Sequence, residues 1–198
     1  MQVKDKVFIL KKTRYGDADL ILNCLSSRGA RLNLFARSAL KSKKRFGGGV
    51  LEPTHYVHVL YEDKSGTSSA ESPLQTLKEA SLVNDFPGLR SDYSRIETGL
   101  HFVRLINSVV KEGDVDSVDL FNLLGNALKA AETSERLDRL RTHFEAKLLA
   151  NQGMFPVEET DDEILMRTPI AEHARLPLDE RAWVRARGRV KRILEEYL

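Results

Sequence analysis

The chain has 198 residues, 41% of them hydrophobic, and a formal net charge of +2, which is enough apolar material for one or two cored domains. A single cysteine, Cys24, excludes an internal disulfide and a multi-cysteine zinc site and fits a reducing compartment. No apolar run approaches the length of about eighteen residues that a membrane span needs, and residues 1–17 carry no h-region with a small-residue cleavage site, so neither a span nor a secretory signal is expected.

In chain order, KVFILKK (6–12), DLILNCLSS (19–27), ARLNLFAR (30–37) and THYVHVLYE (54–62) are short and rich in β-branched or aromatic residues. Turn-forming YGD, SSRGA and KSKKRFGGG separate them, so they predict strands. Four or five strands in about eighty residues predict a small barrel or sandwich. Residues 63–73, DKSGTSSAESP, read as a polar loop, and LQTLKEASLV after them reads as a last strand or a first helical turn. From residue 86 the period changes. Ile96, Leu100, Val103, Ile106 and Val110 share one helical face, as do Leu120, Leu124, Ala127 and Ala131, and then Leu137, Leu140, Phe144 and Leu148. Loops such as EGDVDS join these helices. Residues 153–177, with their prolines and the acidic EETDDE, read as irregular. A last helix is expected from an N-cap at Asp179 to Leu198, with Trp183, Ala186, Val190, Ile193 and Tyr197 on one face and Arg181, Arg185, Arg189 and Arg192 on another. The expected class is α+β: a β-domain over 1–80 and a helical domain over 81–198.

Charge is also uneven along the chain. Residues 1–61 hold twelve Lys/Arg against four Asp/Glu, and residues 62–198 hold nineteen against twenty-five. A basic first third points to a polyanionic partner. The densest cluster is Arg37, Lys41, Lys43, Lys44 and Arg45, on an interstrand loop that ends in Gly47, Gly48 and Gly49. Mobile cations beside exposed backbone N–H groups suit phosphate contact. The glycines read chiefly as a bend that lets the strand re-enter the barrel, and no Gly-Lys-Ser/Thr follows them to make a P-loop. On ARLNLFAR, alternation puts Leu32, Leu34 and Ala36 on one face and Arg31, Asn33, Phe35 and Arg37 on the other. An aromatic between cations suits base stacking beside phosphate pairing, or packing beneath a neighbouring element. The arginines of the last helix read as a solvated face and, secondarily, as an extension of such a track.

Catalytic signals are sparse. Asp17 and Asp19 occupy a turn, where aspartates are common. The run Asp161, Asp162, Glu163 reads as a solvated loop. His55 and His58, three apart on a strand, face opposite ways and cannot share a metal. No nucleophile elbow, zinc-protease helix or dinucleotide fingerprint is present, so no catalytic residue, metal or cofactor is expected.

Three stretches together resemble the RecO family, the recombination mediators of bacterial DNA repair. Tyr15-Gly16-Asp17-Ala18-Asp19-Leu20-Ile21 is similar to that family's Tyr-Gly-Glu-x-Asp-Leu-Ile. Residues 42–53, SKKRFGGGVLEP, resemble its basic loop and Gly-Gly-x-Leu-x-Pro. Phe144-Glu145-Ala146-Lys147-Leu148-Leu149, followed by Gly153 and Pro156, resembles Phe-Glu-x-x-Leu-Leu…Gly-x-x-Pro. The resemblance implies an N-terminal OB-fold barrel, a C-terminal helical domain and a non-enzymatic role. Such proteins bind single- and double-stranded DNA, anneal complementary strands, and work with RecR to load RecA, at the nucleoid within the cytoplasm. It implies DNA contacts at Arg37, Lys41, Lys43, Lys44 and Arg45, with Arg31 beside them, and the outer face of ARLNLFAR adds Phe35 as a candidate stacking contact. The resemblance also implies capture of the C-terminal tail of single-stranded-DNA-binding protein near Arg139 and Arg141. Many members carry four zinc-site cysteines after the Gly-x-x-Pro element. Residues 157–178 here contain none, so zinc is not expected. The chain stops at EEYL, where relatives often continue with a basic Gly-Lys-Pro-Leu-Lys-Ser tail, so a function resting on that tail is not carried over. From the residues alone, two other readings stand: a protein-interaction adaptor built on the helices, and an RNA-binding OB module, since stacking and charge do not report a 2′-hydroxyl.

Overall fold

The computed structural model describes residues 1–42, 44–63, 74–111, 117–157 and 160–197. The chain divides into two compact units, Met1–Phe86 with Ile106–Phe121, and Pro87–Leu105 with Asn122–Leu198.

The first unit is a five-stranded barrel: β1 (Gln2–Tyr15), β2 (Asp19–Ser26), β3 (Arg31–Ala36), β4 (Tyr56–Glu62) and β5 (Gln75–Asn84). It closes in the order β1-β2-β3-β5-β4, the OB-fold arrangement. The ambiguous LQTLKEASLV is therefore a strand. β1 is long enough to serve two neighbours: Val7–Tyr15 pair with β2, while Gln2–Phe8 pair with β4. A register shift between Ile9 and Lys11 lets it bend from one to the other. The short parallel pairing of β3 with β5 closes the ring.

Alternation fills the interior. Val7, Ile9, Leu22, Cys24, Leu34, Ala36, Val57 and Leu77 are buried without exposed surface. Burial pushes the Cys24 thiol far up, so it stays protonated and unreactive. At the β2–β3 turn, Gly29 has φ +85°, and a Cβ there would come within 2.6 Å of the Ser117 backbone nitrogen. Only glycine allows that approach. Outside the barrel, Phe8 stacks on Tyr56 at 4.9 Å and meets Phe121 at 4.8 Å and Phe86 at 6.3 Å. Phe121 thus covers an aromatic side of the barrel wall.

The helices are α1 (Tyr93–Val109), α2 (Val118–Ala131), α3 (Leu137–Asn151), α4 (Thr160–Arg167) and α5 (Glu180–Tyr197). α1 and α2 each contribute to both units. In the second unit Phe102 stacks on Phe144 at 4.1 Å. The α5 N-cap is Asp179, whose Oδ1 accepts the Ala182 N–H at 2.8 Å.

Two expectations for this unit are corrected. Residues 153–177 are not wholly irregular: they contain α4 and a 3₁₀ turn at Ile170–Arg175. Thr160 and the acids after it open α4, where negative charge favours a helix N-terminus. The acidic run is likewise not a solvated loop, because Asp162 is 4% exposed and accepts from Arg189 at 2.6 Å. The α5 arginine stripe is correspondingly part-spent inside the unit: Arg185 pairs with Asp161 at 3.0 Å, and Arg189 also donates to the Pro156 carbonyl.

Among the described residues, no helix is long and apolar enough to cross a membrane, and no group of three His, Cys, Asp or Glu residues is placed to hold a metal.

Candidate nucleic-acid interface

The basic loop runs from Arg37 to His55 between β3 and β4, and it is anchored at several points. At its start, Asp19 Oδ1 accepts the Ser38 N–H at 2.6 Å, and Leu40 N–H donates to the Ala18 carbonyl at 3.0 Å. Ser38 takes the left-handed φ of +55° that this turn requires. In its middle, Phe46 is buried in the barrel core, as is Leu51 further on. Between these anchors Arg45 is held twice. Its Nη2 donates to the Arg37 carbonyl at 2.7 Å, and its own carbonyl accepts the Ala80 N–H of β5 at 3.1 Å. In the glycine run only Gly49 has positive φ, at +80°, where the chain turns back toward Leu51.

This anchoring leaves the charges outside. Arg37, Lys41 and Lys44 are exposed and Arg45 is half-buried, its guanidinium 4.9 Å from the Phe46 ring centroid. Among the described residues none of these four makes an ion pair with a carboxylate. Lys43 lies outside the described residues.

Arg31 is a correction. Its Nη1 donates to the carbonyls of Asn107, in the last turn of α1, at 3.2 Å and of Val110, just beyond that helix, at 2.5 Å, so it serves the C-terminal end of α1 rather than facing solvent with the loop. Alternation gave its face; its partners lie far away in sequence. Phe35 is half-exposed on the outer face, its ring edge-on to Tyr15 with centroids 6.0 Å apart. Tyr15 is 58% exposed, so the pair forms an aromatic edge two residues along the chain from Arg37. Tyr15 was not among the sequence candidates, although its place before the β1–β2 turn is a signal. Asn23 and Asn33, next along this face, bond to each other at 2.6 Å.

In the second unit, Arg139 is a further correction. Its side chain is only 12% exposed, lies 5.2 Å over the Trp183 ring and approaches Glu180 at 3.6 Å. It is packed within the helices rather than presented to a partner. Arg141 pairs with Glu97 at 3.0 Å and lines an open cleft of about 490 Å³ with Arg187 and Lys191.

Residues 1–86 match the family model described as recombination protein O N terminal. The chain is 30% identical to the DNA repair protein RecO of Pelobacter propionicus over 177 residues, covering 89% of this chain and 68% of that one. The chain belongs to the RecO family. Further RecO relatives include that of Maridesulfovibrio salexigens, 35% identical over 79% of this chain and 61% of its own, and that of Desulfosudis oleivorans, 32% identical over 75% and 55%. The chain thus spans somewhat over half the length of these two RecO proteins.

Proposed function

We propose that this chain is a DNA-binding recombination mediator in DNA repair, acting by binding rather than catalysis. The observation that carries the reading is the anchored loop bearing Arg37, Lys41, Lys44 and Arg45 without carboxylate partners among the described residues. A loop backbone held at several points loses little freedom when a phosphate backbone arrives, so its exposed cations favour binding without sequence readout. The Phe35–Tyr15 edge suits unpaired bases, which offer a π-face that a duplex conceals. Strand annealing follows if two complementary strands, mutually repelled in solution, are neutralised on one protein.

The same reading includes work with RecR to load RecA onto strands coated by single-stranded-DNA-binding protein, in the bacterial cytoplasm and at the nucleoid during repair. For the C-terminal tail of that coating protein, the cleft lined by Arg141, Arg187 and Lys191 together with Glu97, Asp138 and Glu145 offers guanidinium and ammonium groups to a terminal carboxylate that takes the place of Glu97 on Arg141. Family membership supports these partners.

The test is binding of labelled single- and double-stranded DNA across a salt series. Five neutralised phosphates, counting Lys43, give a slope of log affinity on log salt of about −4.5 on duplex and about −3.5 on single strands. A flat response removes the reading. Competition with a matched RNA oligomer decides between DNA and RNA.

A further inference from the structure

The outer wall of β1, β4 and β5 gathers a second set of cations that lie far apart in sequence. The β1–β4 register sets Lys4 opposite Leu60 and Lys6 opposite His58, and the β4–β5 register sets His58 opposite Ser81 and Leu60 opposite Glu79. Lys4, Lys6 and His58 are exposed. The basic loop meets this wall at Ala80, whose N–H holds the Arg45 carbonyl. Between them lies an open cleft of about 830 Å³, with Lys4 from β1, Lys44 and Arg45 from the loop, and His58, Leu60 and Glu79 from the sheet.

Lys4, Lys6 and Lys44 make no ion pair with a described carboxylate, so their charge is available. Cations contributed by β1 and by the loop, bordering a largely uncharged sheet surface, match a strand whose phosphates run along the borders and whose bases face the sheet. Glu79 fits that occupant: a carboxylate accepts from exocyclic amino groups of bases, whereas it repels the side chains of an acidic peptide. The Phe35–Tyr15 edge is a separate surface, borne by β1 and β3 at the other end of the Arg45–Arg37 link.

We propose that the β1–β4–β5 cleft is a second subsite for a single-stranded nucleic acid, bound through its sugar–phosphate backbone beside Lys4, Lys6, Lys44 and Arg45. The inference rests on the loop reading above and extends it: the loop serves two surfaces, so one chain holds two stretches of strand.

Ser81, exposed and opposite His58, gives a direct probe. In a Ser81→Cys chain the native Cys24 is buried and silent to maleimide. With a mixed-sequence single-stranded oligonucleotide at about ten times its Kd, labelling of the new thiol should slow about tenfold. Independently, Lys4→Glu with Lys6→Glu should weaken single-strand binding and flatten its salt slope by at least about 1.4. Unchanged labelling, or an unchanged slope in the double variant, while the wild-type chain binds and loop variants weaken, overturns the cleft and leaves the loop reading standing. Equal protection by an acidic peptide of matched charge overturns the nucleic-acid assignment. Absence of salt-dependent binding by the wild-type chain overturns the loop reading and the cleft together.

Discussion

Arg45 reaches back along its own loop to Arg37, donating Nη2 to the Arg37 carbonyl at 2.7 Å. The contact ties the Arg45 guanidinium to the Arg37 backbone without neutralising it, because the acceptor is a backbone oxygen. Replacing Lys41, Lys44 and Arg45 with alanine should therefore cost affinity rather than fold. The salt slope should become shallower by about 2 on single strands and about 2.7 on duplex. Fluorescence anisotropy across a salt series, with a thermal melt as the control for folding, reads both. An unaltered slope rules the loop out as the phosphate contact.

Phe35 and Tyr15 should act differently. Phe35→Ala should weaken single-strand binding by about 1–3 kcal/mol with the salt slope retained, since stacking displaces no counterions. Duplex affinity should change far less. Equal losses on both substrates would mean that Phe35 supports the strand architecture instead of meeting bases.

Arg31 is expected to be structural. Arg31→Ala removes the donor that serves the Asn107 and Val110 carbonyls, and it should lower unfolding stability by about 2 kcal/mol. DNA affinity, measured where the variant is fully folded, should stay within about twofold of wild type, as expected for a group that touches no phosphate. A large affinity loss without a stability loss would restore Arg31 to the interface.

Acid should destabilise the helical unit. His143 is buried on α3, and its Nε2–H donates to the Leu165 carbonyl at 2.8 Å. Desolvation, reinforced by the nearby Lys147 ammonium, pushes its pKa down to about 4. The unfolded chain's histidine takes up a proton near pH 6.5, so the neutral folded form is favoured fully above that pH and loses its advantage as pH falls toward 4. Burial also lowers His173, whose Nδ1–H donates to the Ile170 carbonyl while Nε2 accepts from Ser134, so it shifts stability in the same direction. Urea unfolding should show a loss of about 2 kcal/mol from His143 between about pH 7 and pH 5. His143→Met should flatten that part of the profile, and a wild-type stability that rises on acidification would contradict the assignment.

Breaking the Asp162–Arg189 pair should be costly. Asp162→Ala takes the carboxylate away from a guanidinium that packs 4.7 Å over the Phe155 ring and is left with neutral acceptors such as the Pro156 carbonyl, and the expected loss is about 3 kcal/mol. Asp161→Ala removes the carboxylate that serves the more exposed Arg185 and should cost under about 1 kcal/mol. Chemical denaturation of both variants compares them directly; equal costs would argue against a buried pair.

The barrel was legible where neighbours in sequence decide the answer. Alternation on ARLNLFAR placed Leu32, Leu34 and Ala36 inside and Phe35 outside, and the three-four spacing placed Phe144 and Leu148 in the helical core. What a side chain meets across the fold was not legible. Arg31 looked like its outer-face companions because the carbonyls it serves belong to residues 107 and 110. Asp162 looked solvated because its arginine lies on α5. Phe46, flanked by cations and glycines, gave no periodic sign that it roots the loop in the core. Lys4 and Lys6 could be put on one face by their spacing, but only strand register sets them beside His58 and Leu60.

Gly29 sits so close to Ser117 that no other residue fits there, and Phe8 and Tyr56 lean on Phe121 from the same barrel. The barrel therefore completes its own wall with chain that returns after most of α1. Cutting the polypeptide at residue 86 would strip that wall, baring a cluster of aromatic rings to water and leaving the Arg31 guanidinium without its carbonyls. Such a fragment should be prone to self-association, and reattaching residues 106–121 should restore its solubility.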